Sequence, residues 1–356
     1  MNLHSYPSPA QEAGRAGAPI LIVPYMWLGD FVRCHTIVRL IKAREPERPI
    51  DLLTTETAVP VLDYMPGVRK GIVCELPRNR LAFTEHRALS ARLQKEGYGQ
   101  ALVMSRKWKA ALAPYLAGIP LRTGFFGEWR FGLINDLRFG ESKLPRMLER
   151  CVALAYPDGA ALPSDLPLPE LVVPPAERSA WLARRAIAQA ARPVVTVAPG
   201  AVGPGKAWPV GHYAELARTL AAEGADVWIV GGPREKAPAA EILRAAFGRA
   251  RDLTGGDLRE AILALSCSDT VVSNDSGLMH IAASLGRPVI AVFGPTSPWH
   301  WAPLNPLAAV IEPPPTAVCP SCGRNGCTDV RHRRTVDVAP ARVLDAVRRV
   351  LSKRKS

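Results

Sequence analysis

Along this chain, aliphatic strands and amphipathic helices alternate, break at one proline-rich stretch, and then alternate again. In the first half, strand-like runs stand at 20–23, 50–53, 71–74 and 101–104, and helix-period segments at 30–44, 85–96, 107–117 and 145–156. In the second half, strands are expected at 194–198, 227–230, 270–273 and 289–293, with helices at 176–190, 212–223, 235–247, 257–266 and 340–353. A helix between consecutive strands lets the chain cross over a sheet and return, which makes the strands parallel and covers both faces. Residues 156–175 carry six prolines, which stop any helix there. The expected organisation is a flexible extension at 1–18, a Rossmann-like domain at 19–160, a Pro-rich linker at 161–175, a second Rossmann-like domain at 176–335 and a basic helix at 336–356. Two doubly wound α/β domains joined in this way are expected to face a central cleft, with ligands at the carboxyl ends of the strands.

With 356 residues and 48% apolar content, the chain can bury two cores. No run approaches the roughly 18–20 apolar residues of a membrane span, and the polar start of the chain lacks the apolar stretch of a secretory signal. Of the seven cysteines, Cys34, Cys74, Cys151 and Cys267 sit in apolar patterns, which points to a reducing, cytoplasmic compartment rather than a disulfide scaffold. The net charge of +13 is unevenly spread. Residues 66–110 hold Arg69, Lys70, Arg78, Arg80, Arg87, Arg92, Lys95, Arg106, Lys107 and Lys109 against three Glu, and residues 331–356 hold nine basic residues against two Asp. Such an excess favours a polyanionic partner: nucleic acid, anionic lipid headgroups or a phosphorylated glycolipid. Charge alone does not choose among them.

Four loops at strand ends carry the chemistry. In Trp27-Leu28-Gly29-Asp30, the aspartate is placed at a helix N-terminus, where Asp is also a favoured cap. The loop 199–209, PGAVGPGKAWP, has glycines that let backbone amides wrap phosphates, and Lys206 supplies a mobile positive charge. It is neither a Walker A loop nor a G-x-G-x-x-G fingerprint, which counts against a dinucleotide oxidoreductase. At Gly231-Gly232-Pro233-Arg234-Glu235, the glutamate suits a ribose diol or, equally, the first turn of a helix. In Asn274-Asp275-Ser276-Gly277, a strand runs into a helix whose leading N–H groups form a seat for an anion, with His280 one turn on.

Five segments stand in order: PYMWLGD at 24–30, RTGFFGEWRFGLINDLR at 122–138, PRMLER at 145–150, APGAVGPGKAWP at 198–209 and SNDSGLMHIAASLGRPVIAVFGPTSP at 273–298. Together they resemble the ADP-heptose:lipopolysaccharide heptosyltransferases of glycosyltransferase family 9, most of all those of the heptosyltransferase II type, over roughly residues 20–350. The resemblance implies a GT-B fold and an inverting transfer of heptose from ADP-L-glycero-β-D-manno-heptose to the lipopolysaccharide inner core, with no cofactor and no metal. Matched position by position, Asp30 is the general base. Lys206 stabilises the leaving diphosphate, and Gly200, Glu235, Asp275, Ser276, Gly277 and His280 join it in holding the donor. The acceptor, a Kdo-lipid A inner core, carries phosphates and acidic sugars, for which Arg106, Lys107, Lys109 and Arg122 are the expected contacts. The implied protein is a monomer that binds no nucleic acid and works peripherally on the cytoplasmic face of the inner membrane, with the basic last helix and Trp299/Trp301 as its expected contacts there.

Two positions depart from the family pattern. Tyr25-Met26-Trp27 stands where a serine often precedes the Gly-Asp pair, and Ala207 stands where a second basic residue is common. Cys319, Cys322, Cys327 and His332 have a spacing compatible with zinc, the other reading being a cluster of reduced thiols on a loop. Alternatives to the second-heptose reading are a heptosyltransferase I-like or other family 9 enzyme with a different acceptor or sugar, a UDP-sugar epimerase on a similar two-domain fold, and a non-catalytic glycolipid-binding relative. An epimerase would turn over UDP-sugars without an acceptor, and a binding protein would tolerate loss of Asp30.

Overall fold

A computed structural model describes residues 17–353 except 75, 78–81, 145 and 189–191. Arg78 and Arg80 of the basic stretch, Pro145 of the PRMLER segment, and most of the 1–18 extension therefore lie outside the described residues. The chain divides into two compact units, Met1–Pro169 and Glu170–Ser356, the division falling within the proline-rich stretch.

The first unit is built on a six-stranded parallel sheet of β1 (Ile20–Val23), β2 (Ile50–Thr54), β3 (Lys70–Val73), β4 (Gln100–Val103), β5 (Leu121–Phe125) and β6 (Asp136–Arg138), in the order β3-β2-β1-β4-β5-β6. Every residue of β1 and β2 is buried, as in a sheet covered on both faces; β1 is an unbroken apolar run, while β2 carries the buried Asp51, bonded to Arg69 and the Tyr98 hydroxyl. Leu21, Val23, Leu53, Ala101 and Val103 share one core with Leu89 and Leu93 of helix Phe83–Gln94.

The second unit repeats this order with β7 (Val194–Ala198), β8 (Asp226–Ile229), β9 (Ala250–Asp252), β10 (Thr270–Asn274), β11 (Val289–Val292) and β12 (Ala309–Ile311), arranged β12-β11-β10-β7-β8-β9 and again parallel. Alternation along β8 splits its residues between two cores. Val227 and Ile229 join Val195, Val197 and Tyr213, while Trp228 packs with Trp181 at 6.0 Å between ring centroids. Each fully buried aliphatic side chain contributes about 1.5–3 kcal/mol, and strand and helix residues share these cores.

In both units the strand order reverses between the first and fourth strands. Loops leaving those two strands diverge to opposite faces and open a crevice at the carboxyl edge. The switch points lie at β1/β4 and at β7/β10.

Two expectations need correction. The segment 30–44 is two helices, Leu28–Arg33 and His35–Arg44, separated at Cys34, and the N-cap is Trp27 rather than Asp30. The basic helix Pro340–Lys353 is part of the second unit rather than a segment apart from it, because Val343, Ala346 and Val347 lie buried in the same core as β7 and β11. Only its charged face is left for solvent. Among the described residues, no helix is long and apolar enough to cross a membrane.

Candidate active site

In the second unit, the sequence-predicted donor residues gather around β7/β10. Loop 199–209 leaves β7 and is pinned by the buried side chain of Asn274, the last residue of β10. The Asn274 amide donates to the Pro199 carbonyl at 2.7 Å and to that of Gly200 at 3.4 Å. Its Oδ1 accepts from the Trp208 backbone N–H at 2.9 Å and from the Tyr213 hydroxyl at 3.1 Å. Burial of Tyr213 pushes its phenol pKa up, so the hydroxyl stays protonated and remains a donor. Trp208 is itself buried, edge-on to Tyr213 at 4.8 Å, with its indole N–H donated to the Val338 carbonyl at 2.8 Å.

This fastening presents Lys206. Its ammonium lies 2.7 Å from Asp275 Oδ2, with the lysine side chain 23% and the aspartate 9% exposed. The pair is close to the surface yet sheltered, so its charges are less screened than those of an open salt bridge. Ser276, the N-cap of helix Gly277–Ser284, makes no side-chain cap; its hydroxyl lies 3.1 Å from that of Ser273. The helix therefore leads with backbone N–H groups and the positive end of its dipole. His280 lies one turn on and is buried. At the end of β8, Glu235 closes the short helix Pro233–Glu235 and accepts from the Gly232 N–H at 2.7 Å. Its carboxylate lies against Gly200, where a Cβ would come within 2.8 Å of Oε1, so a larger residue there would push the Glu235 side chain aside. Asn274, the residue that ties Gly200 and the Lys206 loop to β10, was quoted in sequence only as part of a motif. A buried, doubly engaged amide gives no periodic signal to read.

In the first unit, Asp30 lies in the first turn of its helix, 13% exposed and 3.9 Å from the buried guanidinium of Arg33. Tyr25, at the end of β1, shares this neighbourhood. Burial raises its pKa, and the nearby Cys151, Glu141, Cys34 and Asp30 raise it further. Glu141 in turn pairs with Arg106 at 3.2 Å. Beneath lies the buried Arg130, whose guanidinium donates to the Phe125 carbonyl at 3.0 Å and to that of Ser105 at 2.5 Å. Burial lowers its pKa to about 10, and it remains charged at neutral pH. Sequence reading did not single out Tyr25, Arg130 or Glu141 as members of this site.

The expected cation patch does not hold together as four residues. Arg106 and Lys107 follow β4 at its carboxyl end, 62% and 74% exposed, with Lys107 2.5 Å from Glu128. Lys109 follows in the first turn of helix Trp108–Leu116. Arg122 instead pairs in register with Ala101 near the start of β4 and β5, toward the opposite edge of the sheet. Its guanidinium is spent on the backbone carbonyls of Leu133 at 2.7 Å, Ile119 at 2.5 Å and Gly132 at 3.3 Å. Arg122 is therefore a structural cation. Beyond β5, Phe126, Trp129, Phe131 and Phe139 are exposed and in mutual contact, Phe126 stacked on Phe139 and the other ring pairs tilted, with Trp129 83% exposed. Glu128 and Trp129 adopt positive φ to make this turn.

The sequence model of the family described as Glycosyltransferase family 9 (heptosyltransferase) matches residues 86–324. The chain is 36% identical over 344 residues to lipopolysaccharide heptosyltransferase 2 of Escherichia coli (strain K12), covering 93% of this chain and 98% of that protein. Lipopolysaccharide heptosyltransferase 1 of the same strain aligns over only 26% of this chain. The solved structure of the E. coli ADP-heptose lps heptosyltransferase II superimposes with a TM-score of 0.82 at 34% identity, covering 95% of this chain and all of that one.

Proposed function

Because the chain belongs to glycosyltransferase family 9, the heptosyltransferases, we propose that it moves L-glycero-D-manno-heptose from ADP-heptose to the heptose of the lipopolysaccharide inner core. The observation that carries this reading is the Lys206–Asp275 pair beside the amide-led helix Gly277–Ser284, set at a switch point where an anionic ligand is expected. The relatives named heptosyltransferase 2 reach 36% identity over 93% of this chain, whereas the heptosyltransferase 1 that aligns at length is 26% identical over 78%, and this difference favours the second heptose over the first.

In this reading, the acceptor hydroxyl oxygen attacks the anomeric carbon from the face opposite the diphosphate. The bond from that carbon to the phosphate oxygen breaks, and its electron pair leaves with ADP, inverting the centre. Asp30 takes the acceptor proton as general base. Lys206 and the amides of Ser276 and Gly277 meet the charge growing on the diphosphate, so the leaving group is stabilised by this chain's own groups. Asp275 aims Lys206, His280 lines the donor site, and Glu235 with Gly200 takes the ribose. Arg106, Lys107 and Lys109 meet the acidic Kdo-lipid A acceptor, and the exposed aromatics around Trp129 suit the lipid side of such a molecule. The enzyme then works as a monomer, peripheral on the cytoplasmic face of the inner membrane.

The test is a mass-shift assay with ADP-heptose and Kdo2-lipid A acceptors bearing no heptose or one. Gain of one heptose on the monoheptosylated acceptor alone is the expected result. Gain on the heptose-free acceptor would move the enzyme to the first transfer. No gain on either acceptor, with ADP binding intact, would overturn the sugar or the acceptor.

A further inference from the structure

Outside the sites above, one cluster combines four side chains suited to a single task. Cys319-Pro320-Ser321-Cys322-Gly323 forms a tight turn in which the Gly323 N–H donates to the Cys319 carbonyl at 2.8 Å, and Gly323 takes φ +69°, a conformation that favours glycine. Backbone N–H groups of Ser321 and Cys322 point at the Cys319 sulfur, and that of Asp329 points at the Cys327 sulfur. A bridge between Val318 and Asn325 closes the turn into a small hairpin. His332 Nδ1 lies 3.4 Å from Cys327 Sγ. The four potential ligand atoms of Cys319, Cys322, Cys327 and His332 all lie within 4.8 Å of one another.

These distances decide between readings. Metal–sulfur bonds of about 2.3 Å at tetrahedral angles set ligand atoms about 3.8 Å apart, so four atoms within 4.8 Å of one another need shifts of only about 1 Å to surround one ion. A disulfide between two of the thiols would leave the third thiol and the imidazole converging without purpose. We propose that Cys319, Cys322, Cys327 and His332 bind one tetrahedral divalent transition metal ion, with zinc as the ion that three thiolates and an imidazole select. All four positions are filled by protein, so the role is structural.

The site has a mechanical reach. His332 ends the short helix Val330–His332, and the next short helix, Thr335–Asp337, begins three residues later. Thr335 is buried, and its hydroxyl donates to the Ala207 carbonyl at 2.7 Å and lies 3.3 Å from the carbonyl of Gly205. These are the two residues flanking Lys206. Fixing His332 therefore fixes the strut that backs the lysine, a coupling that rests on the donor-site reading given above.

The experiment uses the full chain purified without chelators, with metal content measured by plasma mass spectrometry. One zinc per chain is expected, lost in Cys322→Ser and His332→Ala and retained in the control Cys267→Ser. Cobalt exchanged into the wild-type chain should show thiolate-to-metal charge transfer and tetrahedral d–d bands. A wild-type chain that retains no metal and reacts as free thiols, or shows a Cys319–Cys322 disulfide by peptide mass spectrometry, overturns the site. For the coupling, metal-stripped chain whose circular dichroism is unchanged should bind ADP about 10-fold more weakly, and Thr335→Val should do the same with its metal in place. Unchanged ADP affinity on stripping overturns the coupling. If the wild-type chain does not bind ADP at all, the donor-site reading fails while the metal count still decides the site.

Discussion

In the second unit, the loop after the first strand is fastened from several sides: by Asn274 to β10, by the Trp208 indole to Val338, and by Thr335 to the carbonyls flanking Lys206. In the first unit, the corresponding loop leaves Trp27 57% exposed, and the firm support lies elsewhere, in the buried Arg130 beneath the aromatic turn. The two sheets share one strand order, so this contrast arises in the loops and not in the scaffold. A small, uniform ligand such as a nucleotide diphosphate rewards donors held in one geometry, because preorganised groups need no rearrangement during reaction. A large amphiphile is met better by exposed aromatic faces and mobile cations, which tolerate variation in what they touch.

The sharpest test of this contrast is Asp30→Asn. It should lower kcat by about 100-fold or more while leaving the ADP Kd unchanged, as removal of a general base does. Steady-state turnover and calorimetric titration with ADP check the two halves, and near-normal turnover would remove Asp30 from the chemistry. Lys206→Ala should break the other side, with a fall in kcat of about 100-fold, accompanied by weaker ADP binding. Next comes Asn274→Ala, which strips the buried Trp208 N–H of its acceptor and leaves the Tyr213 hydroxyl only the Ala198 carbonyl at 3.4 Å. It should cost about 2–3 kcal/mol in denaturant unfolding and loosen ADP by about 10-fold. Equal effects of Asn274→Ala on acceptor KM and ADP Kd would erase the distinction drawn between the units. Smallest is Trp129→Ala, expected to raise acceptor KM by about 5-fold, the loss of one exposed aromatic contact of about 1 kcal/mol, with ADP binding unmoved.

Much of this architecture was legible in the sequence. Strands such as 194–198 and 270–273 are long, β-branched and buried on both faces, and helix Pro340–Lys353 displays its apolar stripe at helical spacing. The strands β5, β6, β9 and β12 do not stand out in the sequence: β6, β9 and β12 are three residues each, too short to separate a strand from a loop, and β5 reads Leu-Arg-Thr-Gly-Phe, with little apolar pattern. Lys206, Asp275, Gly200 and Glu235 are marked by loop chemistry together with the family resemblance, and the fold brings Lys206 to Asp275 and Gly200 to Glu235. Arg122 was misplaced for a different reason. A count of cations along the chain ignores which edge of the sheet each one reaches, and a strand start and a strand end are opposite edges. The break at Cys34 escaped notice because both flanking segments keep helical apolar spacing across it.

The docking of helix Pro340–Lys353 against β7 and β11 has a consequence for how the protein is made. Val343 and Val347 complete a core whose other members come from strands and helices synthesised earlier, so the second unit stays open on one side until this helix has left the ribosome. The first unit has all its strands by Arg138 and can close while the rest of the chain is still being translated. Truncation before Val343 should therefore leave a folded first half attached to an aggregation-prone second half, rather than a slightly shortened enzyme.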